Sequence, residues 1–236
     1  MTAPATGDAP DGRDGPHLFV DDLEAPQITD DDRHHLAVLR VRDGDPITVS
    51  DGAGRWRRAR FGPTVDPVGE VTFVERSSPA ITVAFAPVKG DRPEWVVQKL
   101  TELGVDRIVV MQTERSVVRW HGERAAAQTA RLQRISREAA MQSRQCYLPE
   151  LVPPLEFTEA SALRGACLAH RDGPPPDLDC PVVLVGPEGG WSDRELATEV
   201  PHVRLSASVL RSETAAVAAG VLLTALRSAL VGRHVG

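Results

Sequence analysis

Residues 183–196 read VLVGPEGGWSDREL, and this stretch decides the fold class. Its apolar start predicts a buried strand, which the pentapeptide GPEGG (186–190) interrupts just before a helix. Ser192 and Glu195 have the spacing of a capping box at that helix start. Glycine-rich turns between a strand and a helix hold ligands in parallel α/β sheets, at the carboxyl ends of the strands. The stretch therefore predicts an α/β domain with a candidate binding site at this turn.

The turn does not fit the common phosphate-binding loops. It lacks the G-x-G-x-x-G spacing, has proline at its second position, and is not followed by Gly-Lys-Ser/Thr. A phosphate would also be repelled by Glu188 at the tip, so the glutamate favours a ligand with a positive centre. A tight turn that needs glycine only for its backbone is the alternative, and the turn alone does not decide between them.

Strands and helices alternate on both sides of this turn. Pro93 suits the first turn of one helix and Gly104 suits its C′ position. Such alternation predicts a mostly parallel sheet with flanking helices. The expected strands are residues 81–87, 106–111, 166–170, 181–186 and 202–206, and the expected helices are residues 94–103, 121–143 and 214–231.

Residues 17–76 have a different pattern, in which short β-type runs are separated by turn signals such as DGD and DGAG. One short helical segment, residues 31–40, interrupts them. This pattern predicts a small β-barrel or sandwich, joined by a linker to an α/β domain that spans residues 80–236. Residues 1–16 are rich in Pro, Gly, Asp and Ala with almost nothing to bury, so we expect them to be disordered.

Composition narrows the possible functions. No apolar run is long enough to cross a bilayer, and the chain does not begin with a basic region followed by an apolar one, so we expect a cytoplasmic protein. The net charge of −6 is concentrated in residues 1–32, which carry nine acidic residues against Arg13 alone. The remainder is weakly basic, which is compatible with RNA binding without demonstrating it.

Metal, disulfide and hydrolase chemistry lack the residues they need. The three cysteines, Cys146, Cys167 and Cys180, form no C-x-x-C pair, and we interpret them as buried free thiols. The adjacent pair His34-His35 points to different helix faces without a further ligand at suitable spacing, so we expect no metal site. The sequence also has no G-x-S-x-G and no ordered Ser/His/Asp set.

Two further segments carry candidate functional residues. LRSETAA (210–216) places Arg211 and Glu213 before an apolar helix, near GPEGG in the expected sheet, which favours a shared site over a simple helix cap. RWRRARFG (55–62) would place Arg58 and Arg60 on one strand face with a tryptophan, as a platform for phosphates and bases. An edge strand kept soluble by its charge is an equally good interpretation of that segment.

Six motifs, in order, resemble those of the bacterial 16S ribosomal RNA (uracil-N3)-methyltransferase family, in the SPOUT class of knotted methyltransferases. Together they span nearly the whole chain after residue 16, so the resemblance does not depend on GPEGG alone. The motifs are HHLAVLRVRDGD (34–45), KGDRPEWVVQKLTELGVDRIVV (89–110), ERSVVRW (114–120), REAAMQSR (137–144), GPEGGWSDREL (186–196) and LRSETAA (210–216).

The resemblance implies a fold, a cofactor and an activity. It implies methylation of N3 of a specific uridine in the 16S ribosomal RNA of the small subunit, with S-adenosylmethionine as methyl donor. It also implies a PUA-like β-barrel over residues 17–76, an α/β trefoil knot in the C-terminal domain, and a homodimer formed through the knotted domains. The apolar circumference of residues 214–231 independently favours a dimer, with enclosure inside one chain as the alternative.

Candidate site residues lie on these motifs and on the arginine-rich strand. Arg211 is the candidate for stabilising a uracil anion, and Glu213 for orienting Arg211 or accepting the N3 proton. The expected cofactor-binding residues are Gly186, Pro187, Glu188, Gly189, Gly190, Leu205, Ser206, Val209, Leu210 and Ser212. The expected RNA-binding residues are Arg33, His34, Arg40, Arg58, Arg60, Arg115 and Arg144.

A few positions depart from the family pattern. His17 stands in place of an arginine, Ser206 and Ser208 in place of glycine and arginine, and Ser212 in place of a threonine whose hydroxyl it retains. Two alternative functions stay open. One is methylation of another RNA position, including a ribose 2′-O, and the other is RNA binding without catalysis.

Overall fold

The computed structural model describes residues 5–232, which form two compact units. The first unit holds the described residues up to Arg76 together with Arg137–Leu148, and the second holds Ser77–Ser136 and the described residues from Pro149 onward. A boundary near Arg76 is expected from the sequence, but no sequence feature indicates that Arg137–Leu148 joins the first unit. The helical pattern is continuous there, and a local pattern does not report which core a segment joins.

The first unit is built on a five-stranded sheet in the order β1-β5-β4-β3-β2. The β-type runs and the short helix predicted from its sequence are confirmed. One apolar cluster forms its core and includes Leu18, Ile47 and Ala140. The elements are β1 (Ala5–Thr6), β2 (His17–Phe19), α1 (Asp30–Val38), β3 (Pro46–Ser50), β4 (Arg55–Arg60) and β5 (Asp66–Phe73).

The segment before β2 is where the structure differs most from the sequence prediction. Residues 1–4 lie outside the described residues, and residues 5–16 contain β1 and a short 3-10 helix, Gly12–Asp14. β1 pairs with β5 in parallel, and the indole of Trp56 donates a hydrogen bond to the carbonyl of Asp8 at 3.0 Å. The guanidinium of Arg58 lies 2.7 Å from the carboxylate of Asp14. Main-chain pairing and a counter-ion thus hold a segment whose composition offers little to bury.

The second unit is built on a six-stranded sheet in the order β11-β9-β10-β6-β7-β8, and every pairing is parallel. The predicted parallel α/β sheet is confirmed. Its strands are β6 (Thr82–Phe85), β7 (Arg107–Gln112), β8 (Glu150–Glu156), β9 (Ala166–Ala169), β10 (Val182–Val185) and β11 (His202–Val203). Its helices are α2 (Arg92–Glu102), α3 (Gly122–Gln142, which continues into the first unit), α4 (Phe157–Ser161), α5 (Asp193–Leu196) and α6 (Ser212–Arg227).

Two elements of this unit, β8 and α4, were not predicted from the sequence. β8 contains Pro153 and Pro154, which argue against a strand, but it lies at the edge of the sheet, where a missing amide is tolerated. The strand predicted for residues 202–206 is also shorter than expected. The amide of Arg204 donates to the carbonyl of Pro174 at 2.8 Å, so the chain leaves the sheet after β11.

Both faces of the six-stranded sheet are buried. In β6, Val83 and Phe85 belong to one apolar cluster while Ala84 belongs to another. Burial on two sides explains why these strands are continuous apolar runs in the sequence. Over residues 5–232, no helix combines the length and the apolar character needed to cross a membrane.

Four helices end in the same left-handed turn. Gly104 occupies the C′ position of α2, as predicted, with φ of +75°. Arg40, Arg144 and Ala229 occupy the equivalent positions after α1, α3 and α6, with φ of 61°, 57° and 53°. In each turn that residue's amide donates to the carbonyl three residues earlier, and the next amide donates to the carbonyl five residues before it. A side chain in this conformation costs about 1–2 kcal/mol, so the two arginines are held against backbone strain.

His17 is a buried histidine in the first unit, with 3% of its surface exposed. Its Nε2 donates to the carbonyl of Gln145 at 3.2 Å, and its Nδ1 lies 2.8 Å from the hydroxyl of Thr48. Because a carbonyl can only accept, the ring is the neutral Nε2–H tautomer. Burial lowers the pKa of His17 from 6.5 to about 4.

We expect folding stability to fall as the pH decreases from 6.5 to 4, because unfolded His17 takes up a proton in that window and the folded ring does not. The difference between the pKa of His17 in the unfolded and in the folded chain corresponds to about 3 kcal/mol of folding free energy. His17→Gln keeps a neutral donor and acceptor, so it should remove this part of the acid sensitivity. Urea unfolding of both proteins at several pH values measures the effect. The same acid loss in both would contradict it.

Candidate functional site

Two predicted loops meet at the carboxyl end of the parallel sheet. GPEGG (186–190) follows β10, and residues 204–211 run from β11 to α6. The hydroxyl of Ser212, at the start of α6, donates to the carbonyl of Gly186 at 2.7 Å. This is the hydroxyl that Ser212 shares with the threonine common in the family pattern. The hydrogen bond therefore joins the two loops into one candidate site.

The glycines of the first loop have different roles. A Cβ on Gly186 would lie 3.1 Å from the ring of Trp191, so a side chain there would force the buried ring to shift. Gly190 has φ of +69° and donates to the carbonyl of Pro187 at 2.9 Å, which closes a turn. A Cβ on Gly189 would only touch the Cβ of Arg115 at an ordinary 3.6 Å. The fold itself therefore does not explain Gly189, and a ligand against that position would.

Arg115 and Trp191 hold this loop in place. The guanidinium of Arg115 donates to the carbonyls of Gly189 and Trp191, at 3.2 and 2.8 Å. Trp191 is buried, and its indole donates to the carbonyl of Ala169 at the end of β9. Arg115, an expected RNA-binding residue, thus spends hydrogen-bond donors on the loop itself.

The helix start after the loop is a capping box, as predicted. The hydroxyl of Ser192 accepts from the amide of Glu195, and one carboxylate oxygen of Glu195 accepts from the amide of Ser192. The other carboxylate oxygen accepts from the amide of Glu114 at 2.9 Å. Glu195 is only 3% exposed, so this hydrogen bond between α5 and the segment after β7 is buried.

The glutamate at the tip of the glycine-rich loop has a counter-ion. Arg92, at the start of α2, lies 3.3 Å from Glu188 and 3.7 Å from Glu213. One guanidinium therefore lies within ion-pair distance of carboxylates on both loops. Sequence reasoning missed Arg92, although it stands in the motif that begins KGDRPEW. Its charge alone gave no signal, because pairing across loops is a tertiary property.

Glu213 and Arg211 are arranged differently from expectation. Oε2 of Glu213 is buried and has no hydrogen-bond partner among residues 5–232. Arg211 is exposed at the N-cap of α6, and within the same range its side chain makes no hydrogen bond or ion pair. Glu213 therefore does not orient Arg211 here, since Arg92 is its ion-pair partner.

The remaining expected cofactor-binding residues line the second loop. Leu205 and Leu210 are partly buried, and Leu205 packs against the core of the second unit. The hydroxyl of Ser206 accepts from the amide of Ser208 at 3.1 Å, which shapes the loop. Val209 is 93% exposed. The site thus combines an exposed apolar side chain, uncrowded glycine backbone and a buried carboxylate oxygen without a partner, which fits a ligand with apolar parts and a positive charge.

The expected RNA-binding residues of the first unit fall into two groups. In the first group the guanidinium is already bonded within the unit: Arg33 donates to the carbonyls of Gly62 and Pro63, Arg58 pairs with Asp14, and Arg60 donates to the carbonyl of Gly44. Trp56 is 6% exposed beneath the N-terminal segment, so β4 offers no open platform for a base. Arg144 belongs to the first group as well, since it donates to the carbonyl of Gly15. The second group is His34 and Arg40, which are exposed.

In the described part of the chain the potential metal ligands do not cluster, and the cysteines form no disulfide. Residues 5–232 contain no group of three or more His, Cys, Asp or Glu side chains that could hold a metal ion. Cys146, Cys167 and Cys180 are free, as interpreted from the sequence. Cys146 and Cys167 are buried as expected, but Cys180 is only half-buried. Burial raises the pKa of the Cys146 thiol to about 12, which keeps it unreactive.

Family models match both parts of the chain. The model of the RNA methyltransferase domain matches residues 75–224, and that of the RNA methyltransferase PUA domain matches residues 28–62. A Mycobacterium bovis protein named ribosomal RNA small subunit methyltransferase E is 30% identical over 231 residues, covering 86% of this chain and 88% of its own. A Bacillus subtilis protein of the same name is 30% identical over 223 residues, covering 81% and 87%.

Solved structures of methyltransferases are also similar to this chain. A ribosomal RNA small subunit methyltransferase E from Neisseria gonorrhoeae, bound to S-adenosyl methionine, matches with a TM-score of 0.78 and 31% identity. The match covers 89% of this chain and 97% of that one. A methyltransferase from Legionella pneumophila, in complex with the same cofactor, matches with a TM-score of 0.73 and 28% identity, covering 89% and 96%.

Proposed function

This chain belongs to the RNA methyltransferase family, and on that premise we propose that it transfers a methyl group from S-adenosylmethionine to N3 of a uridine in the 16S ribosomal RNA of the small subunit. The observation that carries the proposal is the joining of the two predicted loops through Ser212 and Gly186. This substrate would place the protein in the cytoplasm. The relatives named above support the choice of ribosomal RNA over other methyl acceptors.

The joined loops are proposed to hold the cofactor. When bound, S-adenosylmethionine supplies an electrophilic methyl group on a positively charged sulfur. The backbone at Gly189 would lie against it, since only a glycine leaves that surface free, and Leu205, Val209 and Leu210 would supply apolar contacts. Arg92 balances Glu188, so that glutamate would brace the loop rather than face the ligand alone. We further propose that these loops belong to the knot that the family resemblance implies.

The acceptor atom sets two requirements. N3 of uracil lies on the Watson–Crick edge, so the base must be unpaired and turned into the site. N3 also carries a proton, and the negative charge that forms when it leaves spreads onto the two carbonyl oxygens of the base. The site must therefore accept a proton and stabilise an anion.

Two side chains of this site match those requirements. Oε2 of Glu213 is a buried acceptor without a partner among the described residues, and we assign it the N3 proton, while Arg92 holds the other carboxylate oxygen. Arg211 has an unpaired guanidinium at the N-terminus of α6, where the helix dipole also favours negative charge. Its planar donors would bond the uracil oxygens as their charge develops.

A homodimer is also proposed, formed through the second unit. On α6 the residues Ala216, Ala219 and Leu223 are buried, but Val221 is 42% exposed within one chain. Trp95 on the adjacent helix α2 is 43% exposed. These apolar surfaces favour a partner over enclosure in one chain.

Light scattering at micromolar concentration should therefore give about twice the mass of the 25.5 kDa chain. Trp95→Glu with Val221→Glu should give the mass of a single chain, because two buried charges would oppose the association. A monomer mass for the unaltered protein would contradict the proposal.

Gly189→Val tests the cofactor site. The added side chain meets no crowded neighbour in the protein, so the fold should persist, but it would occupy the ligand surface. We expect calorimetry to detect no binding of S-adenosylmethionine, while the melting temperature stays within a few degrees. Gly232→Val is the control, since a Cβ there has open space far along the chain from both loops. Unchanged affinity in Gly189→Val would exclude this placement of the cofactor.

Arg211→Ala tests the catalytic assignment. We expect turnover at saturating cofactor and RNA to fall about a hundredfold or more, as when a charge-stabilising donor is lost. Arg211→Lys should recover part of the rate. Glu213→Gln should also be slow, and its rate should rise with pH because solvent then removes the N3 proton. A normal saturated rate in Arg211→Ala would leave Arg211 without a catalytic role.

A further inference from the structure

One pocket in the first unit collects arginine side chains. Its volume is about 590 Å³, and its lining includes Arg13, Arg40 and Arg144 but only one carboxylate among the described residues, that of Asp45. That carboxylate accepts a hydrogen bond from the amide of Arg42 at 2.7 Å. Arg13 forms an ion pair with Asp11 at 3.8 Å, so it is Arg40 and Arg144 against Asp45 that give this cavity, here called the arginine pocket, an excess of positive charge.

Two of the arginines reach the pocket from strained positions. Arg40 and Arg144 occupy the C′ positions of α1 and α3 with positive φ, where Gly104 stands after α2. Glycine would satisfy the same backbone turn without a clash, so the turn does not require an arginine. Strained side chains collect at functional sites. A strained backbone position is not by itself a functional site, since Ala229 has the same conformation and does not line the pocket. Arg40 and Arg144, however, both line this one cavity.

These guanidinium groups also retain free donors. Arg40 is exposed and makes no side-chain hydrogen bond or ion pair with another residue between 5 and 232. Arg144 donates to the carbonyl of Gly15 and has no carboxylate partner in that range. In contrast, Arg58 on β4 is paired with Asp14. An incoming phosphate would therefore meet less competition in the arginine pocket than on β4.

The rest of the lining is apolar or neutral. Leu39 is 51% exposed, and Val41, Pro46 and Met141 complete an apolar surface beside the guanidinium groups. The ring of His17 is neutral through burial and spends its donor on the carbonyl of Gln145. A ligand that fits both surfaces has an anionic group joined to a flat apolar one, which describes a nucleotide.

We propose that the arginine pocket binds one unpaired nucleotide of the substrate RNA, with its phosphodiester on Arg40 and Arg144 and its base against Leu39 and Met141. The proposal rests on the proposed function and names where its RNA substrate is held in the first unit. Of the residues expected from the sequence to bind RNA, it selects Arg40 and Arg144 rather than Arg58 and Arg60, and it adds the apolar surface that would hold a base. The N-terminal segment helps to build the site, because Gly12, Arg13, Gly15 and Pro16 form part of its wall.

Arg40→Gly separates binding from folding. Glycine suits the left-handed turn, so the melting temperature should rise or stay constant while the guanidinium is lost. With a fluorescein-labelled oligouridylate of about eight nucleotides, anisotropy should show at least about a tenfold loss of affinity, and the slope against log salt should decrease by about one. Arg144→Gly should lose affinity similarly. Arg42→Ala, which removes an exposed charge outside the pocket, should change affinity less than about threefold.

Competition identifies the ligand. Uridine monophosphate should displace the oligonucleotide from the unaltered protein at lower concentration than inorganic phosphate or uridine alone, since only the nucleotide uses both surfaces. Equal competition by inorganic phosphate would overturn the assignment of the base. Equal losses in Arg40→Gly and Arg42→Ala would indicate diffuse attraction and overturn the site. A large gain in Asp14→Asn with no loss in Arg40→Gly would place the RNA on β4 instead.

Failure of this proposal is distinguishable from failure of the proposed function. Arg40→Gly should bind S-adenosylmethionine with unchanged affinity, because the pocket lies in the first unit and the candidate cofactor loops lie in the second. If the unaltered protein does not methylate 16S ribosomal RNA, the proposed function fails, but an oligonucleotide affinity that depends on Arg40 and Arg144 would still support the pocket. If methylation occurs and Arg40→Gly binds RNA normally, the pocket alone fails.

Discussion

The parallel pairing of β10 with its neighbours is the constraint on which the candidate site depends. Because β9, β10 and β11 run in the same direction, their carboxyl ends lie at one edge of the sheet, and the loops that follow them must meet there. The hydrogen bond from Ser212 to Gly186 then fixes the start of α6 to the end of β10. The glycine-rich loop alone would not identify a binding site. The parallel sheet places a second loop beside it, and the two loops together form the candidate site.

The two carboxylates of the candidate site, Glu188 and Glu213, share the counter-ion Arg92. Arg92 lies between Glu188 and Glu213, which explains how the glycine-rich loop of the candidate site tolerates a glutamate at its tip. Both ends of the Arg92–Glu188 pair are about half exposed, so we assign the pair a positioning role rather than a large contribution to stability. Among the carboxylate oxygens of the described residues, only Oε2 of Glu213 is buried without a hydrogen-bond partner. The chemistry proposed for this protein uses that one atom and the unpaired guanidinium of Arg211.

The features that were predicted correctly are those that depend on interactions between residues close together in sequence. The capping box at Ser192, the C′ glycine at Gly104 and the apolar strands of the parallel sheet were readable because each depends on residues close together in sequence. Arg92 was missed, and so was the contact of Arg115 with the glycine-rich loop, because their partners lie 96 and 76 residues away and only the fold brings them together. The N-terminal segment was expected to be disordered because its composition shows little to bury, whereas strand pairing and the counter-ion at Asp14 depend on the tertiary structure.

The central claim is that the methyl group goes to N3 of a uracil base in 16S ribosomal RNA. The most direct test incubates the purified protein and S-adenosylmethionine with small ribosomal subunits from a strain that lacks the protein, and then identifies the nucleosides of the RNA by mass spectrometry. The account predicts 3-methyluridine that forms only when the protein and the cofactor are both present. A ribose 2′-O-methylated nucleoside, or no newly methylated nucleoside, would contradict it.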